Sequence, residues 1–486
     1  MGQALPPSVR WRIRDRDSPG VRGGGFRRSA GTRAARAGIA VARGAVNPCT
    51  ACIGRQLVVR SGVMATDLQR SIDALWRIES PRVTAVLSRM LRDVGLAEDL
   101  AQDTLLTALE RWPAEGMPDN PGAWLMTTAK RRGIDHLRRQ KLLERKHAQL
   151  GHELASEQEQ RWADIESAMD DEIGDDLLRL MFVACHPVLS TEARVALTLR
   201  LLGGLSTAEI ARACLQPEPT IAQRIVRAKR TLARKQIAFE VPCAAELRER
   251  LASILGVIYL IFNEGYTATA GDDWMRPSLC EEALRLGRVL AGLMPGEAEV
   301  HGLVALMEIH ASRSRARVDG EGRPVLLLQQ NRAQWDRLLI RRGLDALERA
   351  MNLGSVGPYT LQAMIAACHA RALTAQATDW KRIVRLYDAL AQLTPSPVIE
   401  LNRAVAVSMA FGVQAGLDLV DALATDATLQ EYHLLPSVRG DFLRKLGRLD
   451  EARDAFLQAA AMTNNARECT LLRQRATDCE RATDRT

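Results

Sequence analysis

Aromatic residues are scarce in this 486-residue chain, where Phe, Trp and Tyr together make 4%. Alternating polar and apolar runs, the mark of half-buried strands, are almost absent, while Leu and Ala abound. That combination excludes a sandwich or barrel and predicts an all-α protein. The longest apolar run, "LASILGVIYLIF" at Leu251–Phe262, is too short to span a bilayer and reads as a buried helix, so no membrane partner is expected. The nine cysteines show no disulfide-framework spacing, which suits a reduced, cytoplasmic protein. Cys49 and Cys52 form a lone CxxC with no second pair at zinc-finger spacing, so no metal site is expected. Cys185-His186 and Cys368-His369 are adjacent pairs; neighbouring side chains diverge on a helix, and buried thiols are the simpler reading. There is no phosphate loop, no HExxH and no nucleophile–base pair. Neither a cofactor nor an enzyme activity is expected. A hydrolase or transferase reading would have to use Glu264 in "FNEGYTAT" or the Asp272-Asp273 pair.

The formal charge of +8 is unevenly spread. Residues 1–63 hold twelve Arg, no Lys and two Asp, hence +10, which leaves −2 for the remainder. DNA affinity in the folded part must therefore come from local patches. Residues 1–63 lack apolar periodicity and read as a disordered basic tail. Met64 opens the first well-patterned segment and is expected to be the natural start; a tail that touches DNA or membrane is the alternative. Residues 153–176 carry ten Asp or Glu against one Arg, which suits a solvated linker or a charged helix end, and 147–175 are assigned to an acidic linker.

What the chain does have is helical punctuation. In "STAEIARACLQPEPTIAQRIVRAKR", Ser206–Arg230, Ser206 or Thr207 can cap a helix with Glu209 in its first turn. Ile210, Ala213 and Cys214 give that helix an apolar face. Pro217 and Pro219 break it, since each lacks an N–H and disfavours helix in the residue before it. Pro219 or Thr220 can open a second helix with Ile221, Ile225, Ala228 and Leu232 as its buried stripe. Ala222, Gln223, Arg224, Arg227 and Arg230 fall outside the stripe. Such a pair is a helix-turn-helix whose second helix can enter a major groove. There Arg can bond guanine, Gln can bond adenine, and other cations can hold phosphates.

Two stretches upstream accompany it. In "GLAEDLAQDTLLTALERW", Gly95–Trp112, Leu96, Leu100, Thr104 and Ala108 form one face, while Glu98, Asp99, Gln102 and Asp103 lie on polar faces. In "NPGAWLMTTAKRRGIDHLRRQ", Asn120–Gln140, Trp124 and Leu125 belong to a core, and Lys130, Arg131, Arg132, Arg138 and Arg139 make an intensely basic helix. From the break at Glu240–Cys243 to about Arg475 the chain reads as continuous amphipathic helix, punctuated by Gly and Pro turns. "SMAFGVQAGLDLVDALA" and "LRKLGRLDEARDAFLQAAA" resemble one another, with Gly412 and Gly447 35 residues apart, close to the tetratricopeptide period of about 34. In the second copy Gly447, Ala452, Phe456 and Ala459 sit where small and large residues interlock; an irregular helical bundle is the other reading of the same stretch.

Taken together, the three stretches resemble the extracytoplasmic-function (ECF) sigma factors of the sigma-70 superfamily. Their order and spacing both fit. "ACHPVL" at Ala184–Leu189 and "YLIFNEGYTAT" at Tyr259–Thr269 resemble a subgroup with a long C-terminal tetratricopeptide-like extension. The resemblance implies two small helical sigma-type domains followed by a tetratricopeptide-like helical domain. Residues 64–146 would be region 2, 176–239 region 4, and 240–486 a regulatory extension. It implies core RNA polymerase and promoter DNA as partners, with room for a regulatory partner at the C-terminal helical domain. Glu98, Asp99, Gln102 and Asp103 would dock on polymerase. Asn120, Trp124, Lys130, Arg131, Asp135, Arg138 and Arg139 would hold the opened minus-ten element. Thr220, Ala222, Gln223, Arg224, Arg227 and Arg230 would meet the minus-thirty-five duplex. Lys130-Arg131-Arg132, Ala222-Gln223 and Pro219 depart from the commoner family residues, which implies a divergent promoter preference. The other reading of the helix-turn-helix, a one-component regulator with a helical sensor domain, accounts for Ser206–Arg230 but not for Gly95–Gln140.

Overall fold

The computed structural model describes residues 51–148, 173–430 and 432–483. The acidic stretch 149–172 and most of the basic tail lie outside the described residues. Among those described there are eighteen α-helices and one two-stranded parallel pairing. The all-helical expectation holds.

Helices α1 (Ala51–Leu91), α2 (Val94–Glu115) and α3 (Pro121–Ala148) form the first unit. Residues 51–63, assigned from the sequence to a disordered tail, lie in the opening turns of α1; no proline interrupts the run from Ala51 to Ser80. Asp93 caps α2 by accepting the Gly95 and Leu96 N–H groups at 2.7 and 3.0 Å. The core is Ile72, Trp76, Leu87, Ala97, Ala101, Ala108, Trp112, Leu125 and Ala129 with their neighbours. On α2 the fully buried row starts at Ala97 and Ala101, one place along from the expected Leu96 and Leu100. Alanines let α1 approach closely, and the leucines pack at the edge of the cluster.

The second unit holds α4 (Ile173–Ala184), α5 (Thr191–Leu201), α6 (Thr207–Cys214) and α7 (Glu218–Arg234). The third runs from α8 (Ala244–Tyr266), α9 (Pro277–Leu293) and α10 (Ala298–Ala311) through α11 (Arg337–Asn352), α12 (Pro358–Arg371), α13 (Trp380–Leu393), α14 (Pro397–Phe411), α15 (Val413–Leu423), α16 (Leu434–Lys445) and α17 (Leu449–Met462) to α18 (Ala466–Thr483). Successive helices pack as antiparallel hairpins, α14 on α15 and α16 on α17. Gly412 and Gly447 both take positive φ, +112° and +79°, where a side chain would be strained. Ala452, Phe456 and Ala459 are fully buried, as the repeat pattern anticipates. The two ends of this third unit meet, because β1 (Ala270–Gly271) pairs with β2 (Asn464–Asn465). Asn465 staples that junction. It donates to the Ala268 and Asp273 carbonyls at 3.0 and 2.9 Å, and it accepts the first N–H groups of α18.

One hydrophobic cluster crosses from the second unit into the third. It includes Ala85 of α1 and runs on from Leu178 to Ala370, with α4, α5 and α8 packed face to face.

Candidate nucleic-acid interface

The helix-turn-helix forms as its residues dictate. Ser206 caps α6 and Glu209 reaches back to the Ser206 N–H at 2.9 Å, closing a capping box. Leu215 ends α6 in the left-handed region, φ +48°, and the chain enters α7 through Pro217. Helix α7 begins at Glu218, just ahead of the expected Pro219 or Thr220, because a proline is well tolerated in a first turn whose N–H groups are unbonded anyway. Ile221, Ile225, Ala228 and Leu232 are buried, as the stripe predicts. On the other side Thr220, Gln223, Arg227 and Arg230 are exposed, while Ala222 and Arg224 are half-buried.

On α3 the exposed positions Thr127, Arg131, Asp135 and Arg138 recur at helical spacing and form one outward stripe, with Arg139 beside it. Asp135 sits 3.9 Å from Arg138. Lys130 is half-buried. Arg132 turns the other way and donates to the Thr107 hydroxyl at 2.6 Å, with Asp103 3.6 Å off. Asn120 caps the helix by accepting the Ala123 N–H at 3.1 Å. Trp124 is half-buried, its ring edge-on to Trp112 at 5.3 Å.

The first and second units are docked together, and Glu98 is at the joint. The residue is 5% exposed. It accepts from Arg200 of α5 at 2.6 Å and pairs with Lys229 of α7. Lys229 also reaches Asp99 at 3.3 Å. Gln102 and Asp103 lie farther along α2, half-buried and exposed. Two further ties hold the joint. Arg77 of α1 pairs with Glu209 of the capping box. Burial opposes ionisation of Glu209, but the Ser206 N–H and hydroxyl, Arg77 and Arg212 outweigh it and hold the carboxyl below its ordinary pKa. Arg89 of α1 meets Asp176 of α4 at 2.9 Å. Asp176 is 1% exposed, and its burial raises its pKa despite Arg89 and Arg179. Gly204, at φ +63°, lies so close to α1 that a Cβ would stand 2.9 Å from the Ser80 hydroxyl. None of these partnerships has a local sequence signal, since each joins residues 87 to 132 positions apart.

The third unit also grips the second. Arg276 donates to the Ala213 carbonyl at 2.5 Å, Arg285 to the Leu202 carbonyl, and Ser253 to the Cys185 carbonyl at 2.7 Å. Leu215, in the helix-turn-helix turn, sits over Gly271. Glu264 serves this grip: it pairs with Arg276 and accepts from the Thr269 hydroxyl at 2.9 Å. Asp272 and Asp273 are exposed and engage α18 and Asn465 through their carbonyls. Cys185 is buried, its thiol pushed up to about 11, and burial raises that of Cys368 as well. Among the described residues no three His, Cys, Asp or Glu side chains converge as a metal site, and no helix is long and apolar enough to cross a membrane.

A basic three-helix unit followed by a helix-turn-helix defines an all-helical DNA-binding protein of the transcription apparatus. Comparison with known families agrees. Residues 75–142 match Sigma-70 region 2, 179–232 match Sigma-70 region 4, and 250–351 match a family of unknown function (DUF6596). An uncharacterized protein of Rhizobium meliloti (strain 1021), R00370, is 43% identical over 394 residues, 81% of this chain and 92% of its own length. The ECF RNA polymerase sigma factor SigK of Mycobacterium sp. (strain KMS) is 29% identical over 188 residues, 34% of this chain and 89% of its own. A probable RNA polymerase sigma-C factor of Mycobacterium bovis is 31% identical over 146 residues, 29% and 71% of the two chains. The chain belongs to the sigma-70 family as an ECF sigma factor with a C-terminal helical extension.

Proposed function

We propose that this sigma factor rests in a closed form, with α7 folded against the polymerase-docking helix α2, and that the C-terminal extension governs its opening. Glu98 carries the reading. A carboxylate expected to face core polymerase is instead buried between Arg200 and Lys229. In the open form Glu98, Asp99, Gln102 and Asp103 dock on polymerase. Asn120, Trp124, Lys130, Arg131, Asp135, Arg138 and Arg139 hold the melted minus-ten strand, where aromatic and cationic groups suit exposed bases and phosphates. Thr220, Ala222, Gln223, Arg224, Arg227 and Arg230 read or flank the minus-thirty-five duplex. The extension acts through the continuous core and through Arg276, Arg285 and Ser253. Two elements with alternative packings, biased by a third, make a switch.

A crosslink tests the closed form. A Cβ placed on Gly95 would stand 3.7 Å from the Lys229 Cβ, near the mean disulfide separation of about 3.8 Å. The double variant Gly95→Cys, Lys229→Cys is expected to lose core-dependent transcription when oxidised and to regain it on reduction, with both single variants active throughout. Equal activity of the oxidised and reduced forms refutes the closed-form reading. For the extension, Arg285→Ala and Ser253→Ala in the full chain are expected to change transcription at matched folded concentration; unchanged output from both removes the regulatory role.

A further inference from the structure

Buried arginines ordinarily bring a carboxylate with them, because an unneutralised charge is costly away from water. Three arginines of the extension do not; Arg332 is satisfied by the His369 and Ala372 carbonyls and the Thr378 hydroxyl, which leaves Arg313 and Arg317. Arg313, beyond the C-terminus of α10, is 5% exposed and Arg317 is 3% exposed. Neither forms an ion pair with a described residue. Arg317 stacks on Tyr266 with 3.4 Å to the ring centroid and donates to the Thr267 hydroxyl at 3.0 Å, but its Nη1 has no partner. Arg313 bonds the His310 Nδ1 at 2.6 Å, and its Nε is unpartnered. Burial, then the two arginines, hold His310 neutral. His310 therefore adds no positive charge of its own, and burial lowers the Arg317 pKa from its ordinary value.

Both arginines line a small cleft of about 90 Å³ that opens to solvent, bounded by the end of α8, the turn after α10, the Pro324–Gln330 loop, α14, α16 and α18. Arg475 also lines it but is already neutralised by Asp441. Glu468, the one carboxylate in the lining, is bonded to Thr463 at 2.8 Å and His433 at 3.0 Å. The Tyr432 hydroxyl is a further donor without a partner. The rest of the lining is largely apolar, with Leu326, Leu401, Val405, Val438 and Leu472. We propose that this cleft binds a small organic anion, with its carboxylate on Arg313 and Arg317 and its apolar body against the α14 and α16 wall. The cleft is smaller than the usual ligand pocket of about 300 Å³ or more, so it suits the carboxylate end and a short apolar stem, with a longer tail extending through the mouth. Two guanidinium groups and a phenol supply the donors a carboxylate accepts. Arg317 is bonded to Thr267, four residues before Gly271, on which Leu215 of the helix-turn-helix rests. Binding at the cleft does not depend on the regulatory reading above.

Titration calorimetry on the full chain, with decanoate and 3-phenylpropionate as probes and decanol as the uncharged control, tests the site. One-to-one binding of at least one carboxylate is expected, with decanol weaker by at least about tenfold, as befits a charge-assisted contact. Arg317→Met should weaken carboxylate binding by a similar factor, while the ligand-free melting temperature stays level or rises, because an uncompensated buried charge has gone. A merely structural arginine would lower it. Arg313→Met serves as the second variant should Arg317→Met not fold. Failure of both carboxylates to bind saturably, equal affinity for decanol, equal affinity for inorganic phosphate, or unchanged binding in the folded arginine variants each overturns the proposal.

Discussion

Arg227 stands exposed on the outward side of α7, one turn beyond Gln223, while Lys229 faces α2. Two cations two positions apart on one helix thus point to different partners. Arg227→Ala is expected to weaken a minus-thirty-five-dependent promoter by about 1–3 kcal/mol and to relax the preference at one base pair. Transcription from wild-type and mutated promoters checks both effects. Two histidines matter for stability. Burial pushes His369 down to about 3 and His310 well below its usual value of 6.5. Below pH 6.5 the unfolded chain takes up protons that the native state refuses. Stability should then fall by about 1.4 kcal/mol per pH unit for each histidine, until the native groups titrate. Denaturant melts between pH 7 and 5 measure the slope, and replacing His369 with Gln should remove its share.

Helix α6 has only eight residues, Thr207–Cys214, and depends on its ends. Ser206→Ala opens the capping box: the Glu209 carboxylate loses its hydroxyl donor and the Glu209 N–H loses its acceptor, while the backbone N–H of residue 206 remains. A loss of about 1 kcal/mol in unfolding free energy is expected, with hydrogen exchange rising first at Glu209 and Ile210. A flat exchange profile across α6 would show that the cap contributes nothing there. The elements were the most legible level in the sequence. Ile221, Ile225, Ala228 and Leu232 announce their stripe because a period of 3.6 is written in adjacent letters. The outward row of α3, from Arg131 to Arg138, is legible for the same reason. The location of Glu98 is not, since its burial depends on Arg200 and Lys229, more than 100 positions away. Nor is the pairing of β1 with β2: two-residue strands have no period, and Asn465 looks like any turn residue until Ala268 and Asp273 are beside it.

At the scale of the molecule, the break at Glu240–Cys243 separates helices but not cores. Leu178, Phe182 and Leu199 share their cluster with Leu251, Ile254 and Phe262. A fragment ending at Phe239 loses those partners and exposes the faces of α4 and α5. Such a fragment should bind a hydrophobic dye and melt well below the full chain, with faster exchange at Phe182 and Leu197 than in the intact protein. Equal protection in both would mean that region 4 needs no support. Activity changes on truncation would then report on both regulation and folding, which is why single substitutions at Arg285 or Ser253 discriminate better.

The shared cluster also constrains how such proteins can diversify. An extension joined by a linker can be shuffled between hosts, whereas this one completes the interior of the domain before it. Moved behind a region 4 whose α4 and α5 present a polar outer face, α8 would have no seat for Leu251, Ile254 or Phe262. The host's own region 4, left without it, would be an unfinished fold. Reader and extension must therefore be inherited as a single unit, their interior residues changing in step, and chimeras are expected to work only when cut ahead of α4, in the stretch between α3 and Ile173.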